Sequence, residues 1–406
     1  MNSPTATGPS TNTKPGSTCT DELTVGIVGC GIIARNHAEG FAAAEGARVI
    51  ACTDVDPARA AAFADRHGID HAVASVREMV QLSVQAVAVC TPHPTHEAVV
   101  LEAAAVGLHV LCEKPIAVDS VSARRMVGAC EEAGVTLGVL FQRRFWPAAQ
   151  RIRRALDDGT LGTPVLGQCS VLLHREPEYY SQDAWRGRWD TDGGGVLMTQ
   201  AIHYIDLLQW YMGTVTEVYG RWNTYVHGEH IEVEDSATAL LTFASGAMAT
   251  LLATTGAAPA EGVQIRLTDQ RGATVALSEY PEGAEGVNDL WDVPGQVQHA
   301  PVFGRGHDPH VDLAEINGRL IPFHALQIQD FVDAVSEGRA PVVTGAEAVK
   351  SLEIIEAVYA SQRMGHPIRL NGDTPSRPHF PQDRCLPVLA GTGPGAVSAV
   401  SQRTTK

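Results

Sequence analysis

The chain has 406 residues, enough for two ordinary domains that each bury a core. Apolar residues make up 44% and charged residues 19%, the balance of a folded globular protein rather than a disordered one. Acidic residues outnumber basic ones 46 to 30, and the net charge of −16 argues against a nucleic-acid binder, which needs a basic face to neutralise phosphates.

Residues 1–22 are rich in Ser, Thr, Pro and Gly and lack the apolar run of a secretory signal, so a disordered tail is expected there. No apolar stretch approaches the ~20 residues that cross a bilayer. The eight cysteines form no C-x-x-C pair, and several lie in apolar runs such as Ala86-Val87-Ala88-Val89-Cys90. That pattern fits buried thiols in a reducing compartment, so a cytoplasmic protein is expected.

From Leu23 the texture alternates. Short β-branched runs at 23–28, 48–53, 85–90, 109–112 and 135–140 predict strands. Helical patterns at 33–44, 95–106 and 119–133 lie between them, with a further helix opening at Asp56-Pro57. Asp56 has the acceptor an N-cap needs, and Pro57 suits the first helical position. Repeated β-α-β units with apolar strands imply a parallel sheet covered on both faces, a doubly wound Rossmann domain over 23–141.

Residues 142–371 read differently. A helix at 147–158 is followed by strand patterns at 165–174, 216–225, 236–243, 247–254 and 264–267, with one helix at 196–211 interrupting them. Turn signals at Ser245-Gly246 and Gln270-Arg271-Gly272 predict an antiparallel meander, and helices at 325–337 and 345–364 close the region. The prediction is an α/β chain whose second, α+β domain carries a large, mostly antiparallel open sheet, free for substrate or a second subunit. Residues 372–406 return to Pro, Gly, Ser and Thr, a second disordered tail.

Chemistry enters at Gly29-x-Gly31-x-x-Ala34, between the first strand and the first helix. The first glycine permits a tight turn and the second lets backbone approach a pyrophosphate. The small Ala34 allows close packing, and the helix start at Ile32 and Ile33 offers N–H donors. Such a turn alone could be ordinary. Asp54, at the end of the second strand, stands where an acid binds the adenosine ribose. Its carboxylate repels a 2′-phosphate, and no arginine follows directly, so NAD is expected over NADP.

Two more strand ends, Thr91-Pro92-x-x-x-His96 and Glu113-Lys114-Pro115, lie on the carboxyl side of the sheet, where such folds bind ligands. With Gly193-Gly194-Gly195 and His203-x-x-Asp206 they make the chain resemble the glucose–fructose oxidoreductase / inositol dehydrogenase / MocA family over about 23–370. The resemblance implies hydride transfer between nicotinamide and a secondary alcohol or ketone of a sugar or sugar nucleotide. Within the family, the stretches around Trp185-Arg186 and Asp192 look most like sugar-nucleotide 3-dehydrogenases and 3-ketosugar reductases. The resemblance also implies a dimer or tetramer built through the C-terminal sheet, Lys114 at the nicotinamide ribose and substrate hydroxyl, and a cis Lys114–Pro115 bond. Thr91, Pro92, His96, Glu113, Gln142, Trp185 and Arg186 would line the cofactor, and Arg143, Thr199 and Gln200 the substrate.

Oxidising an alcohol requires a group that takes the hydroxyl proton, and a histidine titrating near neutrality serves both directions. His203 and Lys114 are the candidates; Asp206 could orient the imidazole or serve packing alone. Many inositol dehydrogenases of the family carry an acid four residues before this histidine, where Thr199 stands here. That departure separates the chain from a simple inositol dehydrogenase, although an inositol or free-sugar dehydrogenase, an NAD-recycling glycoside-modifying enzyme and a nonenzymatic NAD-binding scaffold remain alternatives. No metal is expected. His93 and His96 lack a completing ligand, and His227-Gly228-Glu229-His230 reads as a polar turn. The His307-Asp308-Pro309-His310 stretch reads as a loop over substrate or toward a neighbouring subunit. The basic run Arg143, Arg144, Arg151, Arg153 and Arg154 reads as a solvated helix face or as charge for an anionic substrate.

Overall fold

The computed structural model of the chain describes residues 22–299 and 311–370. Nearly all of both expected tails and the His307–His310 loop lie outside the described residues.

The first sheet is built from β1 (Leu23–Val28), β2 (Ala47–Thr53), β3 (His71–Ala72), β4 (Ala86–Val89), β5 (His109–Cys112) and β6 (Leu137–Val139). All are parallel, in the order β3-β2-β1-β4-β5-β6. The connecting helices are α1 (Ala34–Ala43), α2 (Pro57–His67), α3 (Val76–Gln81), α4 (His96–Ala105) and α5 (Ser120–Ala133). Right-handed crossovers on both sides of β1 place the change of direction between β1 and β4, and ligands of such sheets bind there.

The local signals hold. Asp56 accepts the Ala58 and Arg59 N–H groups at the start of α2, and Gly68 ends that helix at φ +66°. The short α3 is absent from the predicted elements, yet its start carried a readable signature: Ser75 accepts the Glu78 N–H, and Glu78 reaches back to Ala74.

The second half opens with α6 (Pro147–Asp157), β7 (Pro164–Leu172), the single turn α7 (Pro177–Ser181), a π-helical turn (Leu197–Ala201) and α8 (Ile202–Met212). Strands β8 (Val215–Asn223), β9 (Ser236–Phe243), β10 (Met248–Thr254), β11 (Gly262–Asp269), β12 (Thr274–Glu279), β13 (Val287–Val293) and β14 (Gln296–His299) follow. Helices α9 (Leu313–Glu337) and α10 (Gly345–Met364) and strand β15 (Ile368–Arg369) complete the described chain. The sheet order is β14-β13-β12-β11-β7-β10-β9-β8-β15. It is two antiparallel meanders with β7 between them, parallel to β10 and antiparallel to β11. The predicted meander therefore lacked one insertion, because strand neighbours across a long connection are a tertiary choice.

α9 starts at Leu313, not at 325. Pro322 lies inside it, on an exposed side where a missing backbone bond costs least. This helix returns to the first sheet: Ile328, Phe331 and Val332 pack with Val25, Ile27, Phe41 and Leu111 in one core. A Cβ on Gly40 would meet the Ile328 side chain at 2.5 Å, so that glycine admits α9 against α1. α10 bridges the two halves: Val358 lies against Gly220 of β8, and Glu356 takes the Ser120 N–H and hydroxyl at the start of α5.

Candidate active site

The dinucleotide turn follows from close packing at the sheet's change of direction. Gly29 has φ +90°, and a Cβ there would lie 2.9 Å from the Cys90 main chain. A Cβ on Gly31, by contrast, would meet nothing within 4 Å. The space over the turn is open for a diphosphate, and no side chain caps the start of α1. Ile32 is 62% exposed there.

Asp54 is held against the glycine turn. One carboxylate oxygen accepts the Cys30 N–H at 2.8 Å; the other accepts the Asp56 N–H at 2.9 Å and faces Arg59 at 3.3 Å. Arg59, five positions on, is thus a cation beside Asp54.

Lys114 and His203 lie close enough for their charges to act on one another. Lys114 follows β5, and the Lys114–Pro115 bond is cis. Its Nζ donates to the Thr199 carbonyl at 3.0 Å. Burial, with the charges of Arg143 and Arg186, lowers its pKa to about 8, against the opposing pull of Glu113. His203, on α8, is buried edge-on against Phe141 with ring centroids 5.8 Å apart. Its pKa lies well below the usual value because of burial first and the Arg143 and Lys114 charges next. The expectation of a near-neutral histidine is corrected on this point: His203 is an uncharged imidazole at neutral pH.

Buried polar atoms without a protein partner mark where a ligand fits. Thr91 Oγ1 at the end of β4, Gln142 Oε1 after β6 and His203 Nδ1 on α8 are all of this kind. These three site residues, taken from separate segments of sequence, leave hydrogen-bonding capacity unspent. With the open turn, they fit a dinucleotide and a hydroxylated substrate.

Other site residues are committed inward. His96 faces the Thr91 carbonyl at 2.8 Å and the Pro115 carbonyl at 2.9 Å, pinning the two strand ends together. Burial and His93 push its pKa down to about 4. Glu113 accepts from His37 Nε2 at 2.9 Å and from the Lys114 N–H at 3.1 Å. Its carboxylate therefore braces Lys114 from below, rather than facing the cleft.

Arg143 and Arg144 are not a solvated face. Arg143 is buried and bidentate to Glu279, at 3.2 and 3.3 Å, so the site feels its charge. Arg144 holds both Asp206 oxygens at 2.7 Å, which makes Asp206 a structural partner and leaves the His203 ring unoriented by it. Arg154 alone of the run is exposed, with Arg151 and Arg153 half-buried.

A wall from 179 to 200 closes the other side. The Arg186 guanidinium donates to Tyr179 Oη at 2.9 Å and lies over the Tyr179 and Trp185 rings. Gln200 Nε2 donates to the same oxygen at 3.1 Å, and the Thr199 hydroxyl lies within donating reach of both Gln200 Oε1 and the Gly195 carbonyl. Trp185 meets the His93 ring at 4.7 Å, which joins this wall to the first sheet. Pro92 opens the turn that carries His93. Sequence reading missed Tyr179 because a lone tyrosine in a loop carries no spacing signal. It also missed Glu279, the partner of Arg143, since β12 was not predicted. Among the described residues no group of His, Cys, Asp and Glu is arranged to hold a metal ion.

Comparison with known proteins places this geometry. Residues 23–141 match an oxidoreductase family with an NAD-binding Rossmann fold, and 149–275 match the C-terminal domain of the same GFO/IDH/MocA group. The chain belongs to this family. It is an NAD-binding oxidoreductase, in keeping with the open glycine turn and with Asp54 beside it.

It is 28% identical to D-apiose dehydrogenase of Paraburkholderia graminis, over 85% of this chain and 88% of that one. It is also 28% identical to inositol 2-dehydrogenase of Burkholderia cenocepacia, over 84% and 95%. Its fold superposes on the WlbA dehydrogenase of Bordetella pertussis, solved with NADH and UDP-GlcNAcA, with a TM-score of 0.75 and 29% identity. That match covers 88% of this chain and 100% of the other.

Proposed function

We propose that this oxidoreductase moves hydride between NAD and a secondary alcohol or ketone of a sugar nucleotide, with Lys114 and His203 handling the hydroxyl proton. The observation that carries this reading is an enclosed Lys114, lowered to about 8, in the same electrostatic field as an uncharged His203 with a free ring nitrogen. Bound NAD supplies the hydride acceptor or donor. The neutral Lys114 amine takes the alcohol proton in oxidation and its ammonium returns it in reduction, while His203 fixes the hydroxyl by a hydrogen bond.

Gly29, Gly31, Ile32, Ile33 and Asp54 would hold the adenosine diphosphate half, and Thr91, Pro92, Gln142, Trp185 and Arg186 the nicotinamide half. Thr199, Gln200 and the charge of Arg143 would face substrate. An anionic sugar is in keeping with the UDP-GlcNAcA bound by the WlbA relative. The inositol 2-dehydrogenase relatives favour a second reading, a cyclitol or free sugar as substrate.

A spectrophotometric panel separates these readings. UDP-sugars, ketosugar nucleotides, aldoses and inositols would each be offered with NAD and NADP. The expected result is turnover of a nucleotide-linked sugar, with NAD favoured at least about tenfold in kcat/KM. Exclusive activity on inositols would establish the second reading, and no hydride transfer to any member would leave a scaffold role.

The outer face of the large sheet supports a further part of the proposal, assembly in a cytoplasmic homo-oligomer. Leu166, Leu240, Met248 and Leu252 adjoin one another there, each 48–59% exposed, an apolar patch of the kind that marks interfaces. The six described cysteines are free thiols, in keeping with a reducing compartment. Light scattering is expected to report a dimer or tetramer that Leu240→Glu with Met248→Glu splits. A monomeric wild type would refute this assembly.

A further inference from the structure

Of the three glycines before the π-helical turn, two are dictated by contact. A Cβ on Gly195 would lie 1.7 Å from the Glu234 carbonyl oxygen, and one on Gly194 would lie 2.1 Å from the Tyr359 hydroxyl. The loop is wrapped on those two residues.

Glu234 lies just before β9 and has no exposed surface. Its Oε2 accepts the Gly195 N–H at 2.8 Å, and its Oε1 accepts the Leu197 N–H and the Tyr359 hydroxyl, both at 3.0 Å. Its main-chain carbonyl accepts the Val196 N–H at 3.0 Å. Three successive amides therefore end on one residue. A buried carboxylate is costly unless it is well supplied with donors, and this one is. Beyond the anchor the chain passes through Thr199, whose carbonyl holds Lys114 Nζ, and on to His203.

We infer that Glu234 is a positioning residue for hydride transfer: by fixing the 195–197 amides it sets the place of the Thr199 carbonyl, and so of Lys114. This rests on the reading of Lys114 as the proton-transfer group. Burial lifts the Glu234 carboxyl to about 7 against the pull of its donors. The titratable groups facing this cluster are Tyr359 on α10 and Asp192 on the loop before the glycines, while the π-helical turn presents main-chain amides. Protonation of Glu234 replaces an acceptor with a donor and loosens the anchor as pH falls through about 7.

Two variants and two measurements test the inference. Glu234→Gln turns an amide NH2 toward backbone donors; kcat should fall at least about tenfold, with NAD affinity within about twofold. Tyr359→Phe removes one donor, raises the carboxyl pKa, and in the reductive direction, where Lys114 limits only the basic side, should move the acid limb of the kcat/KM profile up by roughly half a pH unit or more. A role in packing alone would not move that limb.

Amide exchange needs no substrate. Protection of Gly195 and Leu197 in the wild type should drop about tenfold or more between pH 8 and pH 6, and in Glu234→Gln it should be pH-independent. Unchanged kcat and protection in both variants, or a loss confined to NAD affinity, would overturn the inference. If Glu234→Gln does not fold, Tyr359→Phe decides. A wild type that oxidises or reduces no sugar would sink the functional reading instead, and the exchange profiles would still show whether Glu234 holds the turn.

Discussion

Lys114→Met is expected to lower kcat by about 10²–10⁴-fold, the usual worth of a positioned acid–base group, while NAD affinity changes by no more than a few-fold. Methionine keeps most of the stem and loses the ammonium. The geometry behind this is specific: Glu113 takes the Lys114 backbone N–H from below, and the Thr199 carbonyl takes its Nζ from across the cleft. A side chain held at both ends gives up little freedom on binding substrate. Its pKa of about 8 also fixes the sign of the pH dependence. In the oxidative direction kcat/KM should rise with pH through about 8 and then level, because the neutral amine is the working form. In the reductive direction the ammonium works, so the rate should fall across the same range. Lys114→Met turning over within tenfold of wild type, or a wild-type oxidation rate flat from pH 7 to 9, would remove Lys114 from this role.

The second large effect is on stability. Asp206→Ala should cost about 3–5 kcal/mol, because it strips the buried Arg144 guanidinium of its bidentate partner and leaves it only the single contact to Glu347. Arg144 and Asp206 are 1% and 0% exposed, and their two hydrogen bonds are each 2.7 Å. The arginine also reaches Glu347 on α10 at 3.2 Å and lies over the Trp210 ring, so the pair joins three segments. The midpoint of thermal unfolding should drop by on the order of 10 °C. Replacing both partners, as Arg144→Met with Asp206→Leu, should recover much of that loss, since no unpaired charge remains. A single variant within about 2 °C of wild type by calorimetry would show that the pair contributes little.

Those two cases mark how far the sequence was readable. The glycine turn, Asp54 and Lys114 were legible because each obeys a local rule: a strand ends, a turn of fixed chemistry follows, and the side chain emerges at the carboxyl edge of the sheet. Asp206 was visible as three residues beyond His203, yet the spacing could not say which neighbour it serves. The answer is Arg144, 62 positions earlier. Arg143 and Arg144 looked like a solvated run because their acids, Glu279 and Asp206, are distant in the chain. Thr199 was identified by its place before His203, and its contribution proves to be a backbone carbonyl, which no side-chain pattern reports.

By itself, the sequence determined the parallel first sheet, the dinucleotide turn and the strand ends that carry the chemistry. Hydrophobic periodicity, capping residues and glycine geometry are written within windows of a few residues. Only the tertiary structure decided that β7 slots between β10 and β11, and that α9 returns to cover the first sheet. It alone paired Glu234 with the glycine loop, and it moved Lys114 and His203 away from their ordinary pKa values. Those features depend on which buried charges and surfaces meet across hundreds of residues, where desolvation and partner choice are settled by packing.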